Sequence, residues 1–202
     1  DSREDRLRTQ YSLLTAADID PDKIVRRWFV DGFGFGAKYL RDMTLRWVNL
    51  GEAHRPGTSR EMAGTNRQAP LFRVCEACGH QDTGTRSNRP AEHRPWCRYR
   101  SAPEEATRPI ALSRTLRTEG IALRLPTSVT LGDGFAVPSL SAALLLGLRE
   151  RIGGDPDHLA VEGVVDPTPI GSDPNQDALL LHDVVPGGTG YLRQFVQGDG
   201  AL

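Results

Sequence analysis

The chain has 202 residues, with 25 Lys or Arg against 26 Asp or Glu, a hydrophobic fraction of 38%, 21 Gly and 14 Pro. That length holds one good-sized domain or two small ones, and the composition predicts a modest core with long loops. No apolar run reaches membrane-spanning length and no signal-peptide pattern is found, which excludes a spanning helix; the three cysteines are not spread as a disulfide framework, so the expected location is the cytoplasm.

The chain starts at Asp1 rather than Met, and a piece of a longer protein is therefore expected. Residues 1–20 are mostly polar around Tyr11, Leu13 and Leu14 and read as a lead-in with one helical turn. Asp20-Pro21 marks a break. From Lys23 to Leu50 the chain is denser and holds six aromatics: Trp28, Phe29, Phe33, Phe35, Tyr39 and Trp47. Met43, Leu45 and Trp47 alternate with Thr44, Arg46 and Val48, which is strand periodicity. The Gly32-Phe-Gly-Phe-Gly36 run is not Gly-x-Gly-x-x-Gly and reads as a turn or bulge between aromatic-rich strands. Its aromatics, interleaved with Arg26, Arg27, Arg41 and Arg46, suit either core packing or base stacking. Residues 51–70 are polar and rich in Gly, Pro and Thr and read as a flexible connection.

All three cysteines lie in the next stretch, 71–100. A short strand, Leu71–Val74, feeds Cys75-Glu-Ala-Cys78-Gly79, a knuckle that turns two thiolates toward one centre. His93-Arg-Pro-Trp-Cys97 offers an imidazole and a third thiolate after a loop long enough to return. Cys75, Cys78, His93 and Cys97 fit a tetrahedral Zn²⁺ site with no ligand position left for water, so the expected role is structural. The alternatives are three reduced thiols or a redox Cys-x-x-Cys. The latter needs a strand-to-helix setting that is not evident here. His80 is an alternative fourth ligand; the paired spacing favours His93.

Thr115–Pro126 alternates, with Ile121, Leu123 and Leu125 on one face, and predicts a half-buried strand. Pro138–Ile152 is the best helix, capped by Ser139 or Ser141 and ended by Gly153-Gly154. His158–Asp166 and Asp177–Val185 read as strands, the second nearly continuous in apolar residues and so central. It leads through Pro186-Gly-Gly-Thr-Gly190 into a short helix, Tyr191–Val196. Asp183, Gly187, Gly188, Thr189 and Gly190 are candidates for an anion site, weighed against a tight crossover in which Gly permits close packing. With no Lys-Ser/Thr after the glycines the loop is not a Walker A motif, and no other catalytic constellation is found.

The expected fold is α+β: a small mixed sheet with packed helices and an inserted zinc-binding module. Three parts are expected: an aromatic-rich segment with a polar linker (1–70), the zinc module (71–100) and an α+β part (101–202). Charge divides unevenly among them. Residues 41–100 carry eleven Arg against six acids, and 151–202 carry two Arg against eight acids. In the basic stretch Arg73, Arg86, Arg89, Arg94, Arg98 and Arg100 surround the metal ligands and suit phosphate contact, with Trp96 available to stack a base; a solvated basic surface is the plainer reading.

CEACG…HRPWC at 75–97, TLRTEGIALRLP at 115–126 and LHDVVPGGTGYL at 181–192, in that order, resemble the C-terminal zinc-binding module of MrfA-type DEAD/DEAH-box helicases and of DrmB-like helicase partners of DISARM phage-defence islands. The resemblance spans roughly residues 71–196. Related modules often have four cysteines, so carrying the site over puts His93 in the place of one. It implies an accessory role beside an ATP-driven motor in the same or another chain. The module would guide single-stranded DNA or brace the motor, in DNA repair or antiphage defence. Two other readings stay open: a protein–protein docking module with purely structural zinc, and a phosphate-processing enzyme using Asp183 and the glycine loop.

Overall fold

The computed structural model describes residues 10–30, 34–82, 93–100, 107–126, 129, 135–152, 157–166 and 176–197. The fold is α+β and mostly sheet. Its strands are β1 (Tyr11–Asp18), β2 (Ile24–Val30), β3 (Phe35–Glu52), β4 (Thr58–Met62), β5 (Thr65–Ala69), β6 (Phe72–Cys75), β7 (Gln81–Asp82), β8 (Thr107–Ile110), β9 (Leu112–Arg124), β10 (Leu159–Asp166) and β11 (Gln176–Asp183). Two α-helices are present among the described residues, α1 (Ala136–Ile152) and α2 (Tyr191–Gln197). No described helix is long and apolar enough to cross a membrane.

The chain divides into two compact units. One comprises Asp1–Leu14, Val48–Met62 and Asn66–Ser113, the other Thr15–Trp47, Ala63–Thr65 and Arg114–Leu202. The long strand β3 contributes to both.

A six-stranded sheet runs in the order β1-β3-β9-β11-β10, with β2 pairing β3 as well. β11 lies between β9 and β10, the central place its nearly continuous apolar run predicts, and pairs antiparallel with each. Strand alternation sorts side chains onto the two faces. Leu179 and Leu181 join Ala37, Tyr39, Ile121, Leu123 and Leu125 in one cluster, closed by Leu148 of α1 and Leu192 and Val196 of α2. Ala178 and Leu180 join Ile19, Leu40, Met43, Leu45, Leu116, Ala122 and Val164 in the other. α1 packs on β10 and α2 on β11.

The other unit has a smaller core of Leu14, Leu50 and Ala69, with Val48, Met62 and Leu71 packed around it. Its three-stranded sheet runs β7-β6-β8, and both neighbours of β6 are antiparallel to it.

Three expectations need correction. The second half of the lead-in is a strand, while residues 1–9, where a helical turn would fall, lie outside the described residues: β1 is hydrogen-bonded to β3 and buries Leu14, so pairing overrides a weak local pattern. The 51–70 connection contains the two-stranded ribbon β4–β5, turning at Ala63 (φ 49°) and Gly64 (φ 76°), the two positive φ values of a type I′ hairpin turn. Helix α1 starts two residues earlier than predicted. Ser141 is consequently inside it and donates to the Val137 carbonyl at 2.9 Å instead of capping.

Candidate metal centre

Strand β6 ends at Cys75, and the chain reverses at once. Gly79 N–H donates to the Cys75 carbonyl at 2.9 Å and Cys75 N–H to the His80 carbonyl at 2.9 Å. Gly79 takes φ 68°, which lets the turn close, and β7 returns along β6 with Arg73 opposite Asp82. A second turn, in which Cys97 N–H donates to the Arg94 carbonyl at 2.8 Å, places His93 and Cys97 against the first.

The result is a convergence of four donor atoms. The ligand atoms of Cys75, Cys78, His93 and Cys97 all lie within 4.8 Å of one another and could hold a metal ion. Cys75 Sγ is 3.8 Å from Cys97 Sγ, and His93 Nδ1 is 3.7 Å from Cys78 Sγ and 3.5 Å from Cys97 Sγ. A tetrahedron of ligands at zinc–sulfur and zinc–nitrogen bond lengths has edges of about 3.5–3.8 Å. The donor set and these three edges therefore fit such an ion. The imidazole among the sulfurs belongs to His93; His80 contributes its carbonyl to the knuckle. Cys75 and Cys97 are buried and are not joined by a disulfide.

The thiols differ electrostatically. Burial alone would raise Cys78, but backbone hydrogen bonds from Arg94 and His80 and the His93 side chain outweigh it and bring the thiol down to about 6. Burial pushes Cys97 up, opposed by the Tyr99 N–H, which lies 3.4 Å from its sulfur.

Around this centre the basic residues fall into groups. Arg94, Arg98 and Arg100 are exposed, and Trp96 is 70% exposed between them. The Arg98 guanidinium lies 4.7 Å from the Tyr99 ring centroid. Arg73 donates through Nε to the Thr107 hydroxyl at 2.9 Å. Arg86 and Arg89 lie outside the described residues.

The glycine loop is in the other unit. Asp183 is fully buried, and its carboxylate accepts from Val185 N–H at 2.8 Å, from Thr189 N–H at 2.6 Å and from the Thr189 hydroxyl. Gly187 N–H goes to the Arg117 carbonyl and Gly188 N–H to that of Val185. Three of these four backbone donors thus serve the loop itself, the Gly187 N–H ties it to β9, and Asp183 is its internal anion. Thr118 ties the loop down, its hydroxyl reaching the Asp183 and Val185 carbonyls at 2.9 and 3.1 Å.

Two groups beside this loop were not anticipated. Glu119 is buried, accepts from the Tyr39 hydroxyl at 2.9 Å and packs on Gly188. Burial, followed by the Glu119 bond, pushes the Tyr39 phenol up to about 12. The signal was available: Glu119 is in phase with Ile121 and Leu123, so an acid sits on the apolar face of the strand. Arg117 and Asp42, by contrast, pair across 75 residues, and no local pattern announces that.

No family model and no curated protein sequence matches the chain. Among solved structures, the DUF1998 helicase MrfA in its crystal structure bound to DNA is similar over 94% of this chain, with 13% sequence identity and a TM-score of 0.46. This chain spans 19% of the length of that protein.

Proposed function

We propose that this chain is an accessory module of a bacterial DNA helicase system, held by a structural Zn²⁺ on Cys75, Cys78, His93 and Cys97, that guides single-stranded DNA beside an ATP-driven motor. The motor, in the same or another chain, serves repair or antiphage defence. The resemblance of three ordered motifs supports the helicase setting. The observation that carries the DNA contact is the segment His93–Arg100. Cys97 is buried in the centre while Trp96, its neighbour, is left exposed among Arg94, Arg98 and Arg100. An exposed indole costs solubility and makes no core contribution. It does offer a face on which any base can stack, with guanidinium groups beside it for phosphates.

The test is fluorescence anisotropy of the metal-loaded chain with a labelled oligothymidylate at several salt concentrations. Wild type is expected to bind with a steep salt dependence. Replacing Arg94, Arg98 and Arg100 by Ala lowers the log–log salt slope by about 2, at roughly 0.7 per lost single-strand phosphate contact. Trp96→Ala weakens binding by about 1–3 kcal/mol while leaving that slope in place. Binding that neither variant alters overturns the strand-guiding role, and absence of binding at low salt leaves a docking module with purely structural metal.

A further inference from the structure

In the second unit a cleft of about 470 Å³ opens between β3, β9 and the start of the glycine loop. Its lining includes Arg41 and Asp42 from β3, Thr115, Arg117 and Thr118 from β9, and Gly187. Asp42 lies in the fork of Arg117: Nε and a terminal nitrogen of the guanidinium donate to its two carboxylate oxygens. Lys23 Nζ stands 3.7 Å from the same carboxylate. Arg41, a second guanidinium, stands beside the Tyr39 phenol, which is itself turned to Glu119. Two cations thus face one surface carboxylate, and Arg41 adds a third to the lining of the same cleft.

The walls are fixed before any ligand arrives. Gly187 N–H is bonded to the Arg117 carbonyl, Thr118 holds the Asp183 and Val185 carbonyls, and Asp183 closes the loop on itself. This backbone wall orders little on binding and so loses little entropy, leaving the exposed side chains as the part that must be held. A carboxylate seated on two nitrogens of one guanidinium is the arrangement by which Arg recognises phosphate. Arg117 is highly exposed and Asp42 about one-third exposed, and exposed pairs are weak, so an incoming anion can displace Asp42.

We infer that this cleft binds a phosphate group, with Arg41 and Arg117 as its forked donors, the Thr115 hydroxyl as a further donor, and Asp42 as a built-in competitor for Arg117. A nucleic-acid phosphodiester and a free phosphate or nucleotide share this chemistry. The inference is independent of the His93–Arg100 segment.

The test uses the full metal-loaded chain. Inorganic pyrophosphate is titrated calorimetrically into wild type, Arg41→Gln, Thr115→Val and Asp42→Asn, each checked for an unchanged melting curve. Arg41→Gln is expected to weaken binding about tenfold, the effect of one charge-assisted hydrogen bond. Thr115→Val should weaken it severalfold. Asp42→Asn should tighten it severalfold, an outcome that a merely structural ion pair does not produce. If Asp42→Asn destabilises the chain, Arg41→Lys replaces it: the charge stays, the fork is lost, and affinity still falls.

The source is separated by repeating the oligothymidylate anisotropy in a background where Arg94, Arg98 and Arg100 are Ala. Residual binding that Arg41→Gln removes identifies the phosphodiester. Pyrophosphate binding sensitive to Arg41→Gln, with no such effect on the oligonucleotide, identifies a free phosphate or nucleotide. Neither ligand responding to Arg41→Gln or Asp42→Asn overturns the inference.

Discussion

His182 shows how one side chain sets a pH limit on this fold. It is fully buried on β11, its Nδ1 is 3.1 Å from the Asp183 carbonyl, and its Nε2 has no hydrogen-bond partner among the described residues. The Trp47 ring lies 5.9 Å away. Desolvation lowers the His182 pKa below its ordinary value; the Asp183 carbonyl and the charges of Glu162 and Asp183 pull the other way and lose. In the unfolded chain the imidazole titrates near 6.5. The unfolded state therefore binds a proton first, and stability that is complete above about pH 6.5 declines as pH falls through that value toward the lower folded pKa. Melting temperatures measured from pH 8 to pH 5 should fall below about pH 6.5 in wild type. In His182→Gln that fall should be smaller; an identical profile in the variant would show that other groups govern the acid limb.

At the scale of elements, the crossover from β11 to α2 depends on what its glycines face. Gly187 and Gly188 both have positive φ, 84° and 75°. A Cβ on Gly187 would meet nothing within 4 Å, whereas one on Gly188 would lie 2.6 Å from Glu119 Cγ. Gly187→Ala therefore carries only the backbone cost, about 1 kcal/mol. Gly188→Ala adds the displacement of a buried carboxylate from its Tyr39 bond, for a total of about 2–4 kcal/mol. Denaturant unfolding of the two variants measures the difference, and equal losses would mean that the Glu119 contact yields without cost.

The same crossover shows what a sequence discloses at this scale. Strand, glycine turn and short helix were legible because each is signalled within a few residues. That Asp183 would take up the loop's own donors was not, since the glycine pattern suits an external anion equally well. The convergence of Cys75, Cys78, His93 and Cys97 was legible for the corresponding reason: the four donors come in two short, paired segments. The β4–β5 ribbon was hidden because a polar strand with Met62 and Ala69 as its only clearly apolar positions has no periodicity to read.

Across the whole molecule, apolar material is divided unequally. Among the described residues, the unit carrying the glycine loop has two clusters whose buried members come from four strands and both helices, while the core cluster of the unit with the thiols has three buried residues and a few partners. A small core leaves more for a metal to supply, and binding free energy at a site absent from the unfolded chain is folding free energy. Chelation should therefore act locally. By hydrogen exchange, residues 72–82 and 93–100 lose protection when the metal is removed, and residues 116–124 and 178–183 keep theirs. Cys97→Ser is expected to reproduce that pattern without a chelator, because Cys97 is buried among the other three donors. Protection lost uniformly would mean that the two units melt as one; protection unchanged anywhere would mean that the thiols and His93 hold their geometry by packing alone.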